Sequence, residues 1–305
     1  MKLSIMIEGQ NGLNWKRWKK LVDVVENTGF FGLYRSDHFT NANTPDKDSL
    51  ELWVSLTYLA TVTTSIKFGS LVTPISFRNP VFTARMAAAV DDLSKGRLKL
   101  GLGAGWQERE HNNFGFDLLE PKDRFDRFDE GVQIIKKLFH SQNPYSFNGK
   151  YFQLNEAVLL PKPERQKGPD IVIGGNGKKY TLPMVLKFAD EWNTIFLTPT
   201  KFHQLNERLN NLLLESDRSK TEIRRTVMTN LTYARSDAEL MTKLNNREFK
   251  ELEDRGIVVG QKNQVVDRLK QYQAVGCEEI MLQWIDLDDI DGLIDFSEKV
   301  LPIFH

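Results

Sequence analysis

The chain has 305 residues, 41 Lys and Arg against 41 Asp and Glu, and 40% apolar residues. Balanced charge gives no electrostatic case for nucleic acid or an anionic membrane, and no run of 18 or more apolar residues reads as a membrane span. The single cysteine, Cys277, excludes an internal disulfide framework and fits a reducing cytoplasm.

Met1 to Glu8 meets an acidic residue too early for a signal peptide, so Leu3–Ile7 is expected to be a short buried strand. Helical spacing follows over Trp15–Asn27, with Gly29 as its C-terminal cap. Phe31–Ser36 reads as a second strand ending in Asp37-His38-Phe39. A helix over Ser49–Thr61, a strand over Ile66–Val72, a helix begun by Asn79-Pro80 and a strand over Leu98–Leu102 continue the alternation. A long loop is expected next, then a helix over Arg124–Phe139. Periodicity is lost in 140–170, where Tyr145, Phe147, Tyr151 and Phe152 suggest a small hairpin within an insertion. The later elements are strands at Ile171–Ile173, Trp192–Phe196, Thr226–Tyr233 and Ile280–Trp284. Helices are expected at Lys178–Phe188, Lys201–Glu215, Asp237–Glu253 and Val265–Val275. Eight strands alternating with helices favour an α/β fold, a (β/α)8 TIM barrel spanning 1–305 as one domain. Periodicity alone leaves a doubly wound open sheet possible.

Several stretches carry chemistry. Gly101-Leu102-Gly103-Ala104-Gly105-Trp106 follows a strand and exposes bare backbone. It fails as a dinucleotide fingerprint, because Trp106 stands where glycine or alanine is needed. Gly174-Gly175-Asn176-Gly177 lies between a strand and a helix, where free N–H groups suit an anion. It lacks the Lys-Ser or Lys-Thr ending of a P-loop. Asp37 and His38 close the second strand, and barrel active sites form at such ends. Histidine there can bond a cofactor or move a proton near neutral pH. Glu108 and Glu110 flank Arg109 and could do acid–base work, or simply be solvated. The five histidines (His38, His111, His140, His203 and His305) show no metal-ligand spacing, so no metal is expected.

Ser36-Asp37-His38-Phe39, Gly69 to Pro74, Leu100 to Trp106, Ile173 to Gly177 and Ala189 to Asn193 occur in an order that resembles the bacterial luciferase-like monooxygenase family. The likeness is greatest to its deazaflavin-dependent branch. The resemblance implies a barrel holding a flavin-type ring at the C-terminal strand ends. It also implies hydride transfer with the 8-hydroxy-5-deazaflavin coenzyme F-420, or FMN and oxygen with a separate cofactor reductase. A non-catalytic flavin-binding barrel is a third possibility. The partners implied are a small organic substrate and a second copy of the chain as a homodimer.

Carried over by resemblance, His38 would bond the ring's polar edge, with Asp37 beside it. Ser70 and Leu71 would support the ring face across a non-proline cis peptide placed at Ser70-Leu71. Gly103, Ala104, Gly105 and Gln107 would line its rim, and Gly174, Gly175, Asn176 and Gly177 would hold the phosphate. Trp106, Phe39, Trp192 and the aromatic insertion are expected to wall the pocket. Some relatives carry a glutamate where this chain has Ala104, so the proton donor is expected elsewhere, with His38, Glu108 and Glu8 as candidates.

Overall fold

In a computed structural model, described for residues 1–304, eight parallel strands close into a barrel with helices outside. His305 lies outside the described residues. The barrel strands are Lys2–Ile7, Gly32–Arg35, Lys67–Ser70, Leu98–Gly103, Asp170–Gly174, Glu191–Ile195, Arg224–Tyr233 and Glu279–Trp284. The first pairs with the second and the eighth, and the seventh pairs with the sixth and the eighth. That closure leaves no free edge in the eight-stranded ring and decides against the open sheet.

The helices form where the sequence provides both an apolar face and a start signal. Asn14 caps Trp15–Asn27 by accepting from the Arg17 N–H at 3.2 Å. Asn79 caps Pro80–Leu93, with proline in the first turn, where it costs no hydrogen bond. The apolar faces pack on the strands, so Trp18, Leu56, Phe128, Trp192 and Phe296 are all essentially inaccessible to solvent.

Four local expectations need correction. The segment after the fourth strand is not a loop throughout, because Glu108–Phe114 is helical and ends at Gly115 with φ +72°. The expected helix Asp237–Glu253 is two helices, Asp237–Leu244 and Phe249–Asp254, separated where Asn245 and Asn246 both take positive φ. Asparagine tolerates that region better than most side chains. Val258–Gly260, unassigned from sequence, is a short strand paired with Leu231–Tyr233 outside the closed ring. The non-proline cis peptide is at Leu71-Val72, one residue beyond the expected Ser70-Leu71. The third strand ends at Ser70, and the chain rejoins the sheet as the short strand Thr73–Pro74 beside Leu102 and Gly103.

The lower end of the barrel is closed by buried charge. Lys99 Nζ lies 2.7 Å from both Glu191 Oε2 and Glu279 Oε2, and Ser4 Oγ donates to Glu279 at 2.7 Å. Above this lies a layer containing Met6, Tyr34, Leu71, Val172, Met228 and Met281. The upper end stays open, and the site forms there. The hairpin Tyr145–Asn148 with Gln153–Ala157 packs outside the ring against the helix Pro121–His140.

Candidate active site

A cavity of about 400 Å³ opens at the C-terminal strand ends. Each of the first seven strands brings lining residues, from Glu8 after the first to Met228 on the seventh. The wall on one side is the Leu71-Val72 bulge. A Cβ on Gly103 would lie 2.5 Å from Val72 Cγ2, and one on Gly174 would lie 3.0 Å from Val72 Cγ1. Glycine at these two positions is what lets the bulge turn its face into the cavity without a clash.

After the fourth strand, the helix Glu108–Phe114 turns Glu110 inward. Glu110 is 1% exposed, and its Oε1 lies 2.8 Å from His38 Nδ1 while its Oε2 accepts from the Phe39 N–H at 3.1 Å. Burial works against charge on His38. The hydrogen bond and charge of Glu110, aided by Glu8 and Asp37, outweigh burial and hold the imidazole above its ordinary value. With Nδ1 occupied, Nε2 has no partner among the described residues and is the nitrogen free to exchange a proton in the cavity. The ring of Trp106, 64% exposed, stands edge-on to His38 at 5.7 Å between centroids.

The far end, by the fifth strand, has the character of an anion site. Gly175 takes φ +124°, but its N–H is spent on Asn193 O at 2.9 Å and is not one of the free donors expected there, so the anion character rests on Arg124. Thr181 opens the helix Thr181–Phe188 and lines the cavity with Gly174 and Gly175. Arg124 faces the same space from the start of its helix, with a buried Nε that has no partner. A partly buried guanidinium without a counter-ion is costly to keep unless a ligand supplies the anion. The bulge face, the bare glycine edge and this cationic end therefore fit a flat ring with a phosphate tail.

The residues expected from sequence divide into two groups. Glu8, His38, Leu71, Gly103, Ala104, Gly105, Gly174 and Gly175 come together in the cavity. Asp37 instead forms a buried pair with Arg78 at 2.7 Å. Ser70 bonds Gly101 O, Gln107 bonds Thr40 O, and Asn176 braces the Ile195 backbone. Gly177 packs by Thr181 outside the lining, and Glu108 is exposed and off the cavity. Trp192 is buried outside the barrel wall beside Phe202, Phe39 packs among Phe77, Phe114 and Phe116, and the aromatic hairpin does not reach the pocket. In sequence, Glu110 reads only as one of a carboxylate pair with Glu108. Its buried contact with His38 and the presence of Arg124 were not anticipated. The helical spacing of Glu110, His111 and Phe114 was the available signal for the former, and nothing local singled out the latter.

Residues 1–251 match the family described as luciferase-like monooxygenase. The chain belongs to that family. Among its relatives, pyrimidine monooxygenase RutA of Acinetobacter baylyi is 26% identical, covering 93% of this chain and 86% of the relative. An F420-dependent glucose-6-phosphate dehydrogenase of Amycolatopsis mediterranei is also 26% identical, covering 91% of each. In solved structures the fold is similar to an F420-dependent secondary alcohol dehydrogenase bound to an F420–acetone adduct. That match has a TM-score of 0.87 at 16% identity and covers 99% of this chain and 98% of the other. Relatives along this chain are thus monooxygenases and dehydrogenases, and the chain is an oxidoreductase of this family.

Proposed function

We propose that the chain transfers a hydride between a flavin-type cofactor, coenzyme F-420 in preference to FMN, and a small organic substrate. The observation that carries this reading is the His38–Glu110 pair, which lines the same cavity as the Leu71-Val72 bulge. The cofactor supplies two-electron chemistry when bound. The chain supplies the rest. Leu71, Val72 and Gly103 support the flat face, while Arg124, Gly174, Gly175 and Thr181 hold the anionic tail. Reducing a carbonyl needs hydride at carbon and a proton at oxygen. His38 Nε2 gives that proton, and Glu110 stabilises the charged imidazole before it does so. In the oxidative direction the same nitrogen accepts the proton. Trp106 covers the opening and limits water. Because Glu110 serves His38 directly, the chain does not need an acid at Ala104.

A second reading, an FMN-dependent monooxygenase fed by a separate reductase, is supported by relatives of that description matching here, among them RutA and an FMNH(2)-dependent dimethylsulfone monooxygenase of Pseudomonas putida. Titration with F-420 and with FMN, followed by quenching of cofactor fluorescence, separates the two. Saturable F-420 binding is expected, and FMN binding without F-420 binding would replace the first reading by the second. The homodimer belongs to the same proposal. Val54 and Val62 on the helix Leu52–Val62, with Phe82 and Leu93 on the neighbouring helix, are exposed apolar side chains that a second copy would cover. Sedimentation at two concentrations tests it. A reducing cytoplasm suits the lone buried thiol of Cys277, and no helix among the described residues is long and apolar enough to cross a membrane.

A further inference from the structure

At the first-strand end of the cavity, Glu8 holds a carboxylate between two amide donors. Its Oε2 accepts from Gln10 Nε2 at 2.8 Å, and its Oε1 accepts from Gln283 Nε2. The direction of these bonds is fixed from behind. The Gly9 N–H donates to Ser36 Oγ at 2.9 Å, and the Ser36 hydroxyl donates to Gln10 Oε1 at 2.7 Å. Gln10 must therefore turn its NH2 group to Glu8 Oε2, and with Gln283 Nε2 donating to Oε1 both Glu8 oxygens act as acceptors. Each keeps a lone pair free for a ligand.

No cation pairs with Glu8 among the described residues. Arg35 runs behind Gly9, but its guanidinium is spent on Ser55 Oγ at 2.6 Å and on the Leu50 carbonyl. Arg78 is taken by Asp37 and Glu51, and His38 by Glu110. Around this end three cations (Arg35, Arg78 and protonated His38) face four carboxylates (Glu8, Asp37, Glu51 and Glu110). The other end has the opposite character, since Arg124 stands there without a carboxylate. The cavity is thus polarised along its length.

We propose that Glu8 selects the substrate: the cavity takes a neutral or cationic molecule that presents an O–H or N–H donor to Glu8, and rejects one with a carboxylate or phosphate at that end. The assignment of the Arg124 end to the cofactor rests on the function proposed above, but the charge preference of the Glu8 end does not. An anion beside Glu8 meets a like charge at short range in a partly desolvated space, whereas a donor completes its unused acceptor sites. A phosphate ester, the substrate class in the name of the dehydrogenase relatives, is therefore disfavoured at this end.

The test uses three probes of one shape, benzamidinium, benzamide and benzoate, titrated into cofactor-free protein and read by ligand-observed NMR. Glu8→Gln is expected to weaken benzamidinium about tenfold or more while leaving benzoate unchanged or tighter. Equal benzamidinium affinity in wild type and Glu8→Gln overturns the proposal. A measurement on wild type alone guards against a variant that folds poorly: benzamidinium should shift the His38 ring resonances, and no shift also overturns it. Cofactor titration is a separate experiment, so loss of the oxidoreductase reading and loss of this one are distinguishable.

Discussion

His38 Nδ1 and Glu110 Oε1 lie 2.8 Å apart although 72 positions separate them in the chain. The second strand delivers one and the helix after the fourth strand delivers the other. In the mechanism proposed above, their contact gives the cavity a proton donor whose basicity is set by a buried carboxylate.

Glu110→Gln keeps the shape and removes the charge. The His38 titration should move down in pH, because burial then acts with less opposition. Turnover should fall on the order of 10²–10⁴-fold, the usual range for a general acid–base group. NMR titration of the imidazole and a rate–pH profile check this. In wild type, the rate in the proton-donating direction should persist above the ordinary histidine pKa of about 6.5 and decline as pH rises through the raised value. The stability linked to this pair has the same sign: it is present at low pH and lost as pH rises through the folded-state pKa. A rate profile identical in wild type and Glu110→Gln would remove Glu110 from the mechanism.

Arg124→Ala should weaken cofactor binding about 10- to 100-fold, the loss of one charge-assisted contact. Folding should change little, because the guanidinium has no carboxylate partner among the described residues. Fluorescence titration and a melting curve are the two readouts. Unchanged cofactor affinity would detach Arg124 from the anion end.

Gly103→Ala tests the bulge. Its new Cβ would lie 2.5 Å from Val72 Cγ2, so the Leu71-Val72 face has to shift. Cofactor affinity should drop by more than the roughly 1–3 kcal/mol that overpacking costs in stability. Gly175 is a poorer probe, since φ +124° would strain any side chain there and confuse folding with binding. Equal losses of stability and affinity in Gly103→Ala would argue against a ring seated on Val72.

Lys99→Met should destabilise the chain by about 3–5 kcal/mol, because it leaves Glu279 buried without a cation, next to Glu191, which keeps only Arg224 at 3.3 Å. Burial already pushes Glu279 above the usual carboxylate range, with Lys99 opposing. In Lys99→Met the raised Glu279 carboxyl folds best when protonated, so the deficit should shrink at pH 5 and grow at pH 8. Thermal melts at the two pH values read the difference.

The barrel was legible because each strand is a short apolar run and each helix an apolar stripe, and both periods are set by the backbone itself. Long-range pairings were not. The inward turn of Glu110 depends on a seven-residue helix inside a polar segment, where Glu108 and Glu110 look alike in sequence but face opposite sides of the turn. Arg124 reads as an ordinary first-turn residue until the fold sets it across from Gly174. The cis peptide lies one residue beyond its expected place, just after the third strand ends at Ser70. Asn245 and Asn246 looked compatible with a continuous helix, and only their positive φ divides it.

On the proposed function, a deazaflavin sits in the cavity lined by the Leu71-Val72 bulge and His38. The most direct measurement is the absorbance spectrum and mass of the small molecule that accompanies the chain when it is purified from its own source. The expected result is a deazaflavin chromophore with the mass of a coenzyme F-420 species, near one per chain, lost from Gly103→Ala. A co-purifying FMN, or no flavin-type molecule together with no F-420 binding on addition, would contradict it.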